Sequence, residues 1–398
     1  MGPAEVRRHA RAGGPGGGPR GRWPSRVRGE RRVRAPTIYD LAERAGVSIA
    51  TVSRALNAKS GLSSATRARV LAAVEELGYV PNGTARGLSY GATETIGMVV
   101  ATRTTNVAQA SEEHVSLLYV DAVIRGAERS AQRTGYALLL VSIRPRSGWE
   151  AAKRMVGRTD GLVIVDRAVS EDAMTWLAER HPVVALAWES PKGNEIVVRI
   201  DNSDGTRLLV EHLVHVHGHR ELGVVRGPAS SFDAAERWRT VERTAAAAGA
   251  RIVGTWTGDF SASSGERIGR AIAEGTGPRP RVLMCMNDQM AVGVLNVFAQ
   301  QGIAVPDEVA VTGFDDIVIS RYLRPPLTTV RQPAEELGAT AVSSLFDLAT
   351  GKGIPGREIV LATELVVRES CGCRAAAWRP ADAAPPDGLL AATSDGAA

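Results

Sequence analysis

Cysteine is nearly missing from this chain: Cys285, Cys371 and Cys373 are the only three in 398 residues. Three thiols build no disulfide framework, which sets aside the small secreted scaffolds. No apolar run is long enough to cross a bilayer. No apolar stretch follows the basic residues at the start, so neither a secretory nor a twin-arginine signal is read. The motifs of several enzyme classes are missing too. There is no Gly-x-Ser-x-Gly elbow, no Walker loop and no His-Glu-x-x-His. The glycines within 13–18 have no lysine behind them and no strand–helix setting. These absences point to a cytoplasmic protein with no membrane partner, no enzymatic activity and no cofactor. An enzyme reading would rest on Asp315-Asp316 alone.

Charge is present but unevenly placed. The net is +5, yet Arg7, Arg8, Arg11, Arg20, Arg22, Arg26, Arg28, Arg31, Arg32 and Arg34 crowd the first stretch among glycines. Such a block cannot form a core, so 1–36 is expected to be a disordered basic extension. It either adds phosphate affinity that fades with salt or is an over-extended start with no role. The Ala/Pro/Asp-rich end, 372–398, is also expected to be disordered.

Residues 37–81 read as a helix-turn-helix head. Two short amphipathic helices flank a tight turn at Ala45-Gly46-Val47-Ser48. Leu41, Ala42, Ala45, Val47, Val52 and Leu56 supply the apolar faces that let them pack steeply. Thr37 and Asp40 make a capping box for the first helix, and Ser48 suits the N-cap of the second. Ile49, Ala50, Ser53 and Arg54 point outward from the second helix, with Thr51 and Asn57 at its flanks. That is the side such a motif presents to the major groove. Ser63 caps a third helix with Val70, Leu71, Val74 and Leu77 on one face. Gly78 closes it and Pro81 prevents continuation. A small three-helix domain that binds a protein is the alternative. Arg54, Arg67, Arg69 and Arg86 argue for nucleic acid, because they sit with small hydroxyl donors and not with an apolar groove.

Thr37-Ile38-Tyr39-Asp40-Leu41-Ala42, Ala45-Gly46-Val47-Ser48 and Thr51-Val52-Ser53-Arg54-Ala55-Leu56-Asn57 together resemble the head of the lac repressor family. Gly78-Tyr79-Val80-Pro81-Asn82 and Ala85-Arg86-Gly87-Leu88 resemble its hinge, so 82–94 is expected to be hinge helix and linker. The resemblance implies that Ile49 and Ala50 distinguish operators and that Arg54 reads a base edge. It also implies that Thr37, Ser48, Thr51, Ser53, Asn57 and Tyr79 hold phosphates. Ala50 offers only a methyl, so specificity at its base step is expected to be soft. Asn82 would cap the hinge helix, Arg86 would lie along it, and Leu88 would wedge into the minor groove. Gly83 and Gly87 each cost a helix about 1 kcal/mol. The hinge is therefore expected to fold only on DNA; a plain flexible linker is the other reading of those glycines.

From Thr95 onward, short apolar runs alternate with helical stretches. Candidate strands are 96–101, 137–142, 161–165, 183–188, 222–226, 251–255, 282–286 and 309–313. Candidate helices lie at 120–134, 204–216, 234–248 and 289–300. Such alternation means parallel sheets covered by helices. The resemblance implies a bilobal periplasmic-binding-protein-like α/β domain over 95–371, serving effector binding and dimerisation. Its crossings would fall near 192–197, 330–333 and 360. Ligands of such sheets bind beyond the strand ends, here between the lobes. Asp315, Asn287, Arg237 and Phe260 match the family's effector positions. Asp315 would accept two sugar hydroxyls, Arg237 would donate, Asn287 would do both, and Phe260 would stack. A buried lobe-to-lobe Asp315–Arg237 ion pair is the alternative.

Three features depart from the family. The loop at 102–116 is long, Leu117-Leu118-Tyr119 replaces an Asn-Pro-aromatic pattern, and Ala187-Trp188 stands where many members carry Asp-Arg. Tyr119 and Trp188 become candidate effector contacts in a more apolar lid, although Trp188 is equally readable as core. His212, His215, His217 and His219 cluster, but His212 and His219 match a helix-end motif of the family, so capping and packing are expected. Cys371-Gly372-Cys373 is a pair of thiols without further partners. No metal is expected from either set.

The expectation is a homodimeric, sequence-specific DNA-binding repressor with a helix-turn-helix head, a hinge helix and a bilobal α/β domain. Its partners are double-stranded DNA carrying a near-palindromic operator and a small-molecule effector of carbohydrate type. The leucine-heptad tail of tetrameric relatives is not seen after Arg374, which favours a dimer. An activator or a ligand-independent regulator of the same fold is the alternative. A sugar-transport component is set aside by the head and by the lack of a signal.

Overall fold

The computed structural model describes residues 36–56, 61–79, 92–101, 118–143, 148–166 and 168–374. The expectations for the arginine-rich extension, Asn57, the hinge with Asn82, Arg86 and Leu88, the loop at 102–116 and the tail from 375 onward lie outside the described residues, whereas 372–374, expected to begin the disordered tail, are described and follow on from an ordered turn. The chain divides into two compact units between Asn82 and Gly83.

Local capping chemistry shapes the first unit. Its helices are α1 (Ile38–Ala45), α2 (Ile49–Leu56) and α3 (Ser64–Leu77). Thr37 and Asp40 cap α1 reciprocally, and Gly46 ends it in the left-handed region at φ 63°. The Thr51 amide donates to Ser48 Oγ at 3.2 Å. Ser63 caps α3 and Gly78 closes it at φ 60°. Leu41, Ala42, Ala45, Val52, Ala55, Val70, Ala73 and Tyr79 form the buried core. Leu71 does not join it. It is 47% exposed, because the inward face of α3 runs 70–73–74–77 at helical spacing and position 71 lies about 100° away.

The second unit runs β1 (Thr95–Ala101), α4 (Leu118–Arg133), β2 (Ala137–Ile143), α5 (Gly148–Val156), β3 (Gly161–Val165), α6 (Glu171–Ala178), β4 (Val183–Leu186) and β5 (Ile196–Ile200). Then come α7 (Asn202–Glu211), a π turn (His212–Val216), β6 (Glu221–Arg226), α8 (Phe232–Ala247), β7 (Arg251–Thr257), α9 (Ala262–Ala273), β8 (Val282–Cys285), α10 (Asp288–Gln300) and β9 (Ala310–Thr312). It closes with β10 (Thr329–Arg331), α11 (Ala334–Ala349), β11 (Glu358–Leu361) and β12 (Glu364–Val366).

Two parallel sheets result, ordered β11-β5-β4-β3-β1-β2 and β7-β6-β8-β9, with β10 and β12 paired antiparallel. The first sheet is apolar on both faces. Met98, Val163, Val184 and Val198 pack with Val123, Ala127, Leu337 and Ala341 on one side. Val99, Leu162, Ile164, Ala185 and Val197 pack with Ala152, Met155 and Leu177 on the other. Residues two apart along each strand share a face, as the pleat requires.

The crossings between lobes sit a few residues from where the sequence suggests. β5 pairs with β4 and β11 inside the first sheet, so the first crossing falls after it, at Asp201. The third falls at 362–363, because Val360 is still inside β11. Thr363 Oγ1 donates to the Asp201 carbonyl at 3.0 Å and ties these two crossings together. The helix expected over 204–216 gives way at His212 to a π turn. Among the described residues no helix is long and apolar enough to cross a membrane.

Helices α4 and α11 touch through bare backbone. A methyl group on Gly338 would run into the Val123 carbonyl, and one on Gly126 into the Glu335 carbonyl. Gly338→Val is therefore expected to destabilise the second unit by about 1–3 kcal/mol through overpacking. Urea unfolding measures this; an unchanged midpoint would mean the helices do not approach so closely.

Candidate functional site

In the first unit the turn at Gly46 leaves one face of α2 open. Ile49, Ala50 and Arg54 are exposed, and Thr51 and Ser53 are half-buried beside them. Ser48 Oγ also lies 2.9 Å from Thr51 Oγ1, so these hydroxyls hold one another in place. An exposed guanidinium, a branched apolar side chain and small hydroxyls on a rigid helix suit a groove lined with base edges and phosphates.

In the second unit, polar groups converge where the strands end between the lobes. Arg237 on α8 is 3% exposed. Its Nε donates to Asn202 Oδ1 at 2.8 Å and its Nη1 to the Met286 carbonyl at 2.6 Å. The guanidinium carbon stacks 3.7 Å from the Phe314 ring centre. Nη1 lies 3.8 Å from Asp315 and Nη2 4.0 Å from Asp233. Asn202 Nδ2 donates to Asp233 at 2.8 Å and to Glu236 at 3.1 Å. Gln332 donates its amide to Asp315.

The acids here outnumber the cation that serves them. Burial lifts the Asp315 carboxyl well above the usual carboxylate range; Arg237 opposes that shift, while Asp288 and Asp233 add to it. Burial raises Asp233 too, against Arg237 and the Asn202 hydrogen bond. Tyr119, in the first turn of α4, brings the other lobe to this cluster. Desolvation, then Asp233 and Asp315, keep its phenol protonated, and Arg237 opposes them. Gln332 Oε1 is buried and finds no donor among the described residues. Asp166, Phe260, Asp315 and Asp316 all follow strand ends and all have positive φ, which is where strained backbone tends to gather at binding sites.

A family model for bacterial regulatory proteins, lacI family, matches residues 37–82. One for a periplasmic binding protein-like domain matches residues 210–371. The HTH-type transcriptional repressor PurR of Photobacterium profundum is 34% identical over 345 residues, covering 84% of this chain and 98% of its own. The chain belongs to the lacI family of bacterial regulatory proteins. This lacI-family member is a DNA-binding transcriptional repressor and not an enzyme. The PurR repressor of Vibrio parahaemolyticus is 33% identical over 347 residues, 84% of this chain and 98% of its own. Among solved structures, the lac repressor dimer bound to operator and the anti-inducer ONPF is 28% identical with a TM-score of 0.75, over 85% of this chain and 99% of its own. A CelR–cellobiose complex is 28% identical with a TM-score of 0.61, over 84% and 99%.

In this lacI-family repressor several expected site residues take other positions. Trp188 is 4% exposed inside the core of the first lobe. Ala187, at φ 53°, turns the chain so that the indole enters the core and not the cleft. Tyr79 is 8% exposed in the core of the head. Its ring packs among the buried residues of the head. The Thr37 hydroxyl already donates to Asp40 at 2.6 Å. Asn287 is the N-cap of α10: Oδ1 accepts from the Met290 amide and Nδ2 donates to the Phe260 carbonyl, both at 3.0 Å. The Arg237–Asp315 pair is buried, as the alternative reading had it, but both residues belong to elements of the second lobe, so it does not bridge the lobes. Asn202, Asp233 and Gln332 are members of the cluster that sequence reasoning missed. Asp233 carried a weak signal, lying one helical turn before Arg237.

Proposed function

We propose that this repressor acts in the cytoplasm as a homodimer on a near-palindromic operator, and that a carbohydrate-like effector between its lobes sets the affinity. The observation that carries the effector reading is the set of acceptors around Arg237. Asp233, Asp315 and the Gln332 carbonyl, which has no donor among the described residues, favour a ligand rich in O–H donors. The CelR neighbour is described with cellobiose, which supports that class. Asp315, Asp233, Gln332 and Tyr119 would contact the ligand. Phe260 would flank it, and Asn287 and Arg237 would act as positioning residues. The dimer reading draws on the lac repressor neighbour, described as a dimer on its operator. Ile49, Ala50 and Arg54 would read bases, and Ser48, Thr51 and Ser53 would hold phosphates. Asn57, Asn82, Arg86 and Leu88 keep their proposed roles at the flank and hinge. Effector and DNA would oppose or assist one another by the same factor, since coupling is reciprocal.

Footprinting on genomic fragments locates the operator and tests the reading. Arg54→Ala is expected to weaken operator binding roughly 5- to 150-fold while leaving non-specific binding nearly intact. Mono- and disaccharides are then titrated into the complex, with nucleobases as the comparison set. A sugar is expected to shift the operator affinity, and Asp315→Ala to abolish the shift. A response to bases alone would overturn the carbohydrate class; no discrete footprint would overturn the operator reading.

A further inference from the structure

Two groups that are remote in sequence meet at one edge of the second lobe. His212 and His217 bracket the π turn, and Cys371 and Cys373 stand either side of Gly372. The four candidate donor atoms all lie within 4.8 Å of one another. His212 Nε2 and His217 Nε2 are 3.2 Å apart. Cys371 Sγ is 3.5 Å from His212 Nε2, and Cys373 Sγ is 3.8 Å from His212 Nε2 and 3.4 Å from His217 Nε2.

These four separations match edges of a tetrahedron, and the other two fall within the same 4.8 Å span. With Zn–N near 2.0–2.1 Å and Zn–S near 2.3 Å, tetrahedral angles put two nitrogens roughly 3.3 Å apart and a nitrogen and a sulfur roughly 3.5 Å apart. We propose that His212, His217, Cys371 and Cys373 form a zinc site that fastens the segment after β12 to the end of α7. Four protein ligands leave no open position, so the site is structural and not catalytic. On binding, the two thiols release their protons to solvent, and two thiolates with two neutral imidazoles give a site of zero net charge.

The backbone explains how the ligands converge. In an α-helix residues five apart point about 140° away from each other. The wider π turn at His212–Val216 bonds position i to i+5 and brings His212 and His217 to one side. Their rings meet edge to face at 4.9 Å between centres. Gly372, at φ 103°, turns the chain so that both flanking sulfurs face the histidines. Surrounding groups also suit a thiolate. The Arg368 amide donates to Thr328 Oγ1 at 2.8 Å, which leaves the Thr328 proton for Cys371 Sγ at 3.1 Å. Such outer hydrogen bonds orient a ligand and tune its affinity.

The test uses the full chain purified in reducing buffer without chelator or added metal. Elemental analysis is expected to find one zinc per chain. Exchange with Co²⁺ is expected to give the strong visible bands of a tetrahedral ion and thiolate-to-cobalt charge transfer. Cys371→Ser with Cys373→Ser is expected to abolish both, and His217→Ala to weaken zinc binding more than roughly 100-fold, beyond the loss usual for an outer-shell change. Should the double variant fail to fold, the wild-type cobalt spectrum and His217→Ala still decide. A metal-free chain that gives no cobalt spectrum, a double variant that keeps its zinc, or a Cys371–Cys373 disulfide in the reduced preparation would each overturn the proposal.

Discussion

Arg237→Met is expected to cost the second unit about 3–5 kcal/mol, with the loss larger at neutral than at acid pH. The guanidinium is the buried cation that faces both Asp233 and Asp315. It also props Asn202 and the Met286 carbonyl. A methionine keeps the volume over Phe314 but leaves two carboxyls, the Asn202 side-chain oxygen and the Met286 carbonyl without it. Both carboxyls already sit above their usual range through burial, and Arg237 holds them down. Removing it raises them further. A carboxyl whose folded pKa exceeds its unfolded value, near 4, takes up protons on folding, so its penalty is absent below that value and full above the folded one. The variant's deficit should therefore shrink as the pH falls from neutrality toward the unfolded carboxylate value near 4. Urea melts of both proteins across that range measure it. A deficit that is flat with pH would mean that Arg237 does not oppose the upward shift of these carboxyls.

How legible each part was depends on how local its physics is. The Thr37–Asp40 box, the Gly46 and Gly78 caps and the Ser63 cap each act within three or four residues. A reader of the chain meets every partner in one glance. Strands such as Gly161–Val165 were legible because burial on both faces demands an unbroken apolar run. Part of the cleft was legible where a side chain follows a strand end, as Asp315 does, and part, Arg237 and Tyr119, only through the family resemblance. Asn202 stands 31 residues from the carboxyl it donates to, and no spacing signals such a pair. Trp188 reads equally as stacking ring or core, and the positive φ of Ala187 makes the choice. The cysteines and histidines show the same limit most sharply. Each set was unconvincing alone, and only the fold sets Cys373 Sγ 3.4 Å from His217 Nε2.

Leu41→Ala is expected to abolish operator binding without touching the second unit. Leu41 is fully buried at the centre of the head, against Val52 and Val70 from the other two helices. A leucine-to-alanine change at such a site costs about 2–5 kcal/mol, because the cavity collapses only partly. The head has few residues to absorb that. Domains approaching about 40 residues bury too little surface to keep much reserve, so the loss is comparable to the whole stability of the fold. The recognition helix would then no longer hold Ile49 and Arg54 on one rigid face. The comparison with Arg54→Ala separates two kinds of failure. Arg54→Ala removes a donor from a folded head and spares non-specific affinity, whereas Leu41→Ala removes the head itself. Calorimetry should show the transition of the second unit unmoved in Leu41→Ala, since the two units have separate cores. Amide exchange over α1–α3 should rise to the unprotected limit. If Leu41→Ala keeps full operator affinity, the three-helix head is not what holds the DNA.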